Sequence, residues 1–222
     1  MNGISALLHA GITALPVDLK AVAEFFSIKV VDYEACSRVY ELDIDQIYRD
    51  ISTQGFSMYE DGGFICVING KACGKLRRRW TLAHEIGHIL LGHVGESITS
   101  LSPEDERAAD AFAAELLAPL PILQFCGVSS PEEIARLCGI SRQAAGFRFE
   151  ELSKLRRQNT SMRIAAMRGN AQYEGKNAFI TDEDSRQLFI GMLPFISDYI
   201  TERARHDRYA EYLASNGDIT AE

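Results

Sequence analysis

The sequence predicts an α+β fold: a small antiparallel sheet containing a hairpin packs on a helical core, and further helices follow. Three observations support this class. A helical pattern and a short β-branched run open the chain, a hairpin signal follows them, and helical patterns then dominate to the end of the 222 residues. Strands that are grouped before a run of helices favour an α+β layout over alternating βαβ units.

The first elements are one helix and three strands. From Pro16 to Ser27, a leading proline and apolar residues at helical spacing indicate a helix with one buried stripe. Ile28 to Val31 is β-branched and indicates a strand. Two more strands, Gly55 to Glu60 and Phe64 to Asn69, flank Asp61-Gly62-Gly63. Asp-Gly between apolar segments is a strong hairpin signal.

Two long helices come next. Leu76 to Val94 is the first of them. Pro103 to Ala118 is the second, with Ser102 as its N-cap and three acidic residues in its first turn. Pro119 and Pro121 are expected to end it, because proline cannot continue a helix from its interior.

The rest of the chain is also expected to be helical. Ser130 to Leu137 and Ser141 to Leu155 form a helix-turn-helix-like corner around Gly139-Ile140, whereas 158–176 is ambiguous. Arg186 to Leu213 indicates a helix interrupted near Pro194. We therefore predict one domain over 1–128, a helix-turn-helix-like extension over 129–158, and a mostly helical region over 159–222.

Composition excludes several classes of protein. The net charge of −8 argues against a generally basic nucleic-acid coat protein. The five cysteines are too few for a disulfide scaffold, and no CxxC pair suggests a zinc ribbon. We expect reduced thiols, and these are Cys36, Cys66, Cys73, Cys126 and Cys138.

A membrane location is not expected from the sequence. Phe112 to Phe125 is the richest apolar run, but Glu115 and two prolines interrupt it. Met1 to Ala14 has no Lys or Arg and so lacks the basic start of a secretory signal. These features predict a cytoplasmic protein with no membrane partner.

The segment with the clearest chemistry is His84-Glu85-Ile86-Gly87-His88. Two histidines four residues apart lie on one face of a helix and can reach one Zn²⁺ ion. Glu85 is rotated by about 100° from His84, which makes it a poor ligand but a suitable general base. An ordinary helix with chance histidines is the alternative, but three of the five histidines lie within the ten residues from His84 to His93.

A third protein ligand must come from elsewhere, because the extended HExxHxxGxxH pattern is absent. Glu106 and Asp110 are four residues apart on the second long helix, which suits a carboxylate ligand and a partner that orients a ligand histidine. This is the arrangement of gluzincins such as thermolysin. Glu104 is the alternative ligand, and a simple helix N-terminal charge is the structural alternative for Glu106.

The two motifs together resemble the ImmA/IrrE family of zinc metallopeptidases. The resemblance rests on Arg79 to His88, on the Glu106 to Pro119 segment and on the preceding hairpin that ends at Asn69. It implies that His84, His88 and Glu106 bind zinc and that Glu85 is the catalytic base. It also implies a regulatory role, in which the protein relieves repression by cleaving a helix-turn-helix transcriptional repressor or promoting its cleavage.

Three further features leave alternatives open. Arg142 and Gln143 could open a DNA-recognition helix, but a helical buttress or a docking face for a partner is favoured. Arg77-Arg78-Arg79 could steer an acidic substrate segment or form a solvated helix start. His93 is assigned either a structural role at the helix end, which is favoured, or a role in the cleft that steadies an oxyanion.

The sequence therefore predicts a zinc-dependent endopeptidase of the gluzincin type, with nucleic acid not expected as a partner. The alternative from a different class is a DNA-binding or scaffolding regulator whose metal site is structural. An intact Glu85 favours the enzyme, because a structural site needs no general base.

Overall fold

The computed structural model describes residues 1–41, 43–71, 74–95 and 101–216, so the predicted thiol Cys73 lies outside the described residues. The strands are β1 (Ile28–Asp32), β2 (Gly55–Glu60) and β3 (Gly63–Ile68). The helices of the first half are α1 (Gly3–His9), α2 (Leu19–Phe25), α3 (Tyr33–Tyr40), α4 (Ile44–Asp50), α5 (Lys75–Leu90), α6 (Pro103–Leu117) and α7 (Leu120–Phe125). Those of the second half are α8 (Pro131–Cys138), α9 (Arg142–Met167) and α10 (Glu183–Asn216). The α+β class is confirmed.

The predicted hairpin is present, but the sheet is mixed rather than purely antiparallel. Asp61 and Gly62 both have positive φ, 49° and 80°, as a two-residue type I′ turn requires. Strand β3 is central, pairs antiparallel with β2 and pairs parallel with β1. The expectation of an antiparallel sheet was wrong because β1 lies beside β3, the second strand of the hairpin, and not beside β2. The connection through α3 and α4, which the sequence pattern did not reveal, is long enough for the chain to reach that edge.

Two other boundaries differ from the prediction. Helix α9 continues through the ambiguous segment as far as Met167. Helix α10 runs through Pro194 without the predicted interruption. Met192 and Ile196, on either side of that proline, are buried in the core, and this packing holds the helix together despite the lost backbone hydrogen bond.

The core lies between the sheet and the helices. Its main cluster collects buried side chains from helices throughout the chain, including Leu7, Val22, Ile86, Leu116 and Met192. A smaller cluster covers the other face of the sheet, and its members are Tyr33, Cys36, Ile47 and Val67. Cys66 belongs to the main cluster and Val67 to the smaller one, because neighbouring residues of a strand face opposite sides.

The predicted free thiols are buried in these clusters. Cys36, Cys66, Cys126 and Cys138 form no disulfide. Burial raises the pKa of Cys126 and of Cys138 to about 12. Both thiols therefore stay protonated at neutral pH and have little thiolate reactivity.

One segment of the described chain, Pro103–Phe125, is long and apolar enough by composition to span a membrane. It comprises α6 and α7, and 56% of its most apolar window is buried inside the protein. Leu116, Leu117 and Ile122 of this segment are fully buried core residues. Burial of this kind is typical of a core helix in a soluble protein.

Helix α9 is fixed to the end of α6 by a buried arginine. Arg148 donates from Nε and Nη2 to the carbonyl oxygen of Ala118, at 3.1 and 2.6 Å. Its Nη1 pairs with Glu151. A cation at the C-terminus of a helix interacts favourably with the helix dipole. This contact holds the start of α9 beside α5 and α6.

Helices α5 and α6 approach each other closely at Gly87. A Cβ atom placed on Gly87 would lie 3.1 Å from Cδ1 of Phe112 and 3.3 Å from the carbonyl oxygen of Ala109. Ala109 and Ala113, two small residues of α6, are fully buried. The absence of a side chain at position 87 thus sets the distance between the two helices.

We predict that Gly87→Val lowers the free energy of unfolding by about 1–3 kcal/mol, because the added methyl groups overpack the α5–α6 contact. Chemical denaturation measures this change. Gly191→Val is the matched control, since Gly191 is exposed on α10 and a Cβ atom there meets no atom within 4 Å. If the Gly87 variant were as stable as the wild type, a valine side chain would fit between α5 and α6, and the contact at Gly87 would not be as tight as described.

Candidate metal centre

Helix α5 places two imidazoles on one face. His84 and His88 are one helical turn apart, and their Nε2 atoms are 2.9 Å from each other. The His88 side chain is 1% exposed, whereas that of His84 is 15% exposed. Behind them, Ile86 and Ile89 are buried in the main cluster, so the other side of α5 packs against the core.

Helix α6 brings the carboxylate of Glu106 to the same point. Its Oε2 lies 3.3 Å from Nε2 of His84, and its Oε1 lies 3.7 Å from Nε2 of His88. The helix begins at a capping box, in which Ser102 and Asp105 satisfy each other's backbone N–H groups. Glu104, the alternative ligand in the sequence analysis, instead pairs with Arg107 on the surface.

The three groups fit a divalent metal ion. One ligand atom from each of His84, His88 and Glu106 lies within 4.8 Å of the other two. In a tetrahedral site with bonds of about 2.0–2.1 Å, the ligand atoms are about 3.3 Å apart. The distances of 2.9, 3.3 and 3.7 Å lie around that value. Among the described residues, this trio could hold a metal ion.

Asp110 lies where the sequence analysis expected it. Its Oδ1 is 3.0 Å from Nδ1 of His84. A carboxylate on Nδ1 fixes the proton there, which leaves the Nε2 lone pair directed at the other two ligands. Asp110 thus contacts the ring nitrogen of His84 that faces away from His88 and Glu106.

Glu85 is adjacent to the trio but belongs to a different contact. Its side chain is buried, and Oε2 accepts a hydrogen bond of 2.7 Å from Oγ of Ser57 on β2. Burial raises the pKa of Glu85, and the charge of Glu106 adds to this effect, whereas Ser57 and His84 oppose it. A carboxylate with a raised pKa is a better proton acceptor near neutral pH than an exposed one.

His88 is neutral in this environment. Burial, together with the neighbouring His84 and His93, lowers the pKa of His88 to about 4. A neutral imidazole keeps a lone pair for a metal ion at neutral pH. His93 lies on the other side of the ring, with its Nδ1 atom 3.0 Å from Nδ1 of His88.

The site opens into a large cleft of about 1110 Å³. It is lined by residues of β2, α5, α6 and the start of α9, and by the segment before β2. Because β2 is at the edge of the sheet, one row of its backbone N–H and C=O groups pairs with no other strand of the described residues. Apolar side chains are exposed around the cleft, and these include Ile51, Leu76 and Phe147.

The helix-turn-helix-like corner is part of this cleft. Gly139 ends α8 in the left-handed conformation with φ of 63°, as the turn requires. Gln143, the second residue of the predicted recognition helix, lines the cleft, as does Phe147. Phe149 packs against the core instead. The corner therefore borders the cleft, and its favoured interpretation, a helical buttress or a docking face for a partner, stays a prediction.

The three consecutive arginines before the site are held by the protein itself. Arg77 donates to Oε1 of Gln54, Arg78 to the carbonyl of Gly70, and Arg79 to the carbonyl of Val17. Arg77 also lines the cleft. The triplet therefore joins the start of α5 to the surrounding loops.

Sequence reasoning did not find three of these features. Ser57 has no motif of its own and is placed beside Glu85 only by the pairing of β2 with β3. The contact of His93 with His88 depends on how α5 ends. The position of α9 along the cleft depends on Arg148, whose buried contact with Ala118 has no signal in the sequence.

Comparison with protein families matches residues 51–150 to the model of the IrrE N-terminal-like domain. The matched segment begins after α4 and ends within α9, so it contains the trio, Glu85, Asp110 and all sides of the cleft. A comparison with curated proteins gave no match. The family match confirms the resemblance seen in the sequence: over residues 51–150 the chain is similar to the IrrE N-terminal-like domain of the ImmA/IrrE family of metallopeptidases.

Proposed function

We propose that the protein is a zinc-dependent endopeptidase of the gluzincin type that cleaves a regulatory protein, such as a helix-turn-helix transcriptional repressor. The observation that carries the proposal is the placement of Glu85. It is a buried carboxylate outside the ligand trio, held by Ser57, and it borders the same cleft. A purely structural metal site would have no use for it.

Zinc is the metal that suits this set of donors best. Two imidazoles and one carboxylate are the protein ligands of thermolysin-type sites, which leave a fourth position open. When bound, zinc would supply a Lewis acid that polarises the scissile carbonyl and lowers the pKa of water to about 7. His84, His88 and Glu106 would hold it.

The residues of the chain divide the remaining work. Glu85 accepts the proton of the attacking water and passes it to the leaving amine. Ser57 donates to Glu85 and keeps the carboxylate turned toward the cleft. Asp110 holds the ring of His84 in one tautomer.

The shape of the cleft favours an extended peptide as substrate. An extended segment can pair with the outer edge of β2, which no strand of the described residues covers, through main-chain hydrogen bonds. Its side chains would then meet the exposed apolar residues around the cleft, such as Leu76 and Phe147. This mode of binding needs no free chain end and so suits cleavage within a chain.

A DNA-binding protein is a suitable partner on grounds of charge. The chain carries a net charge of −8, which attracts basic proteins and repels nucleic acid. Domains that bind DNA are typically basic. The proposal includes a cytoplasmic location, which the buried free thiols support.

The direct test is incubation of the zinc-loaded protein with helix-turn-helix repressors encoded beside it, followed by intact-mass analysis. The proposal predicts two fragments whose masses sum to that of the repressor plus one water. The proposed peptidase activity would be contradicted if every such repressor remained intact in cells in which derepression occurs.

We predict that the protein binds one zinc ion per chain and that His88→Ala abolishes this binding, because a buried ligand is lost. Elemental analysis after gel filtration measures the stoichiometry. His206→Ala is the matched control, as His206 is exposed on α10. Full zinc occupancy in the His88 variant would remove the site as described.

Glu106→Ala is predicted to weaken zinc binding more than Asp110→Ala does. The first change removes a ligand, whereas loss of an orienting partner typically costs about 10–100-fold in affinity. Titration of each variant against a chromophoric chelator gives the two affinities, with Glu104→Ala as the control that should bind normally. If Asp110→Ala is the weaker binder, the two roles are misassigned.

Glu85→Gln separates an enzyme from a scaffold. The amide keeps the shape and is not expected to disturb zinc binding, but it cannot accept a proton, so cleavage should fall by about 10²–10⁴-fold. Derepression in cells, at matched protein levels, should fall with it. Glu104→Gln makes the same exchange on the surface and should be silent.

The competing DNA-binding regulator predicts the opposite pattern in the same assay. Arg142→Ala would then reduce derepression, because Arg142 is exposed at the start of α9 and lies outside the lining of the cleft. Full derepression by Glu85→Gln together with loss in Arg142→Ala would exclude the peptidase.

A further inference from the structure

Both ring nitrogens of His88 have partners. Nε2 faces the other two members of the metal trio, whereas Nδ1 contacts a residue outside the trio. Nε2 faces His84 and Glu106, whereas Nδ1 lies 3.0 Å from Nδ1 of His93. On the far side of His93, Nε2 lies 3.4 Å from Oδ1 of Asp105. His88, His93 and Asp105 thus form a continuous chain of polar contacts, which we name the His88–His93–Asp105 chain.

The protons in this chain can be assigned by elimination. A His88 that binds a metal through Nε2 must carry its proton on Nδ1. Nδ1 of His93 must then accept that hydrogen bond, so the proton of His93 is on Nε2. That atom faces Asp105, whose carboxylate can only accept. Every contact therefore has one donor and one acceptor, and all point in the same direction, toward Asp105.

The backbone fixes His93 in this position. Helix α5 ends in a Schellman motif, in which the N–H of His93 donates to the carbonyl of His88 and the N–H of Gly92 to that of Ile89. Gly92 has φ of 80°, a conformation that favours glycine. Because the main chain of His93 is hydrogen-bonded to that of His88, the two rings are neighbours.

Asp105 is fixed independently. Its Oδ2 accepts from the backbone N and from Oγ of Ser102 in the capping box, at 2.9 and 2.8 Å, which leaves Oδ1 for His93. The next residue is Glu106. The same carboxylate therefore caps the helix that supplies one ligand and receives the chain that starts at another.

We propose that His93 and Asp105 are positioning residues that hold His88 in the tautomer that presents Nε2 to the metal. The inference rests on the proposed function, because it assumes that His88 is a ligand. It adds His93 and Asp105 to the residues that support the proposed metal site. The sequence analysis gave His93 different roles, either at the end of the helix or beside an oxyanion.

The use of an intervening imidazole has a physical reason. His84 is near the surface and contacts the carboxylate of Asp110 directly, whereas His88 is 1% exposed. A carboxylate placed beside His88 would lose its hydration without full compensation. His93 passes the orienting hydrogen bond into the interior and leaves the carboxylate at Asp105, whose side chain is 36% exposed.

The test uses zinc affinity, measured by competition with a chromophoric chelator. His93→Phe keeps an aromatic ring but removes both hydrogen-bonding nitrogens, and it should weaken zinc binding by about 10–100-fold. His93→Gln retains one acceptor and one donor and should recover part of the loss. Glu104→Gln, which removes a charge from the same first turn of α6, should bind zinc normally.

Asp105→Asn is a second variant that preserves the fold. Its amide oxygen can still accept from Ser102, so the cap remains, but its NH₂ group then faces Nε2 of His93. Two donors cannot share that contact. The proposal predicts weakened zinc binding with an unchanged unfolding midpoint of the metal-free protein.

Nitrogen-15 NMR of the zinc-loaded protein reads the tautomer directly. Wild-type His88 should show a protonated Nδ1 whose hydrogen is protected from exchange, and this protection should disappear in His93→Phe. Unchanged affinity and unchanged protection in both His93→Phe and Asp105→Asn would overturn the inference. If His88→Ala also retained zinc, the proposed metal site itself would be wrong, so the two failures are distinguishable.

Discussion

The close contact between α5 and α6 is the constraint on which the site depends. Neither helix contains a complete ligand set, because α5 supplies two imidazoles and α6 the carboxylate of Glu106. The trio forms only if the two backbones approach closely, and Gly87 against Ala109 and Phe112 allows that approach. Burial of the apolar side of both helices holds them there, so the free energy that fixes the ligands comes from the core. The packing of α5 against α6 therefore also determines where the three ligands lie relative to one another.

The capping motifs at the end of α5 and the start of α6 also place polar side chains near the metal trio. A Schellman motif ends α5 and a capping box begins α6, and each satisfies backbone groups that any helix must satisfy. In this protein the same residues also lie around the metal trio: His93 follows Gly92 in the first motif, and Asp105 belongs to the second. Local capping chemistry thus places polar side chains beside His88 without any additional element of structure.

The sequence predicted what depends on local pattern. Asp61-Gly62 specified the hairpin, and the spacing of His84 and His88 specified one helical face. The parallel pairing of β1 was missed because strand direction depends on how the intervening chain packs. Ser57 was missed for a related reason, since it is brought to Glu85 by sheet pairing and has no sequence neighbour in the site. Contacts between residues far apart in sequence have no local signal.

The corner formed by α8 and α9 shows how the same local pattern can serve a different purpose. A left-handed glycine and small packing residues are needed wherever two helices meet at a short turn, whatever their second helix contacts. Here the buried Arg148 ties α9 to the carbonyl of Ala118, and this turns Gln143 and Phe147 toward the cleft. A peptide held at the edge of β2 would therefore lie in a cleft that α9 also lines. In the sequence, the corner of α8 and α9 most resembles a DNA-binding motif. In the structure, it lies where a peptidase would recognise its substrate.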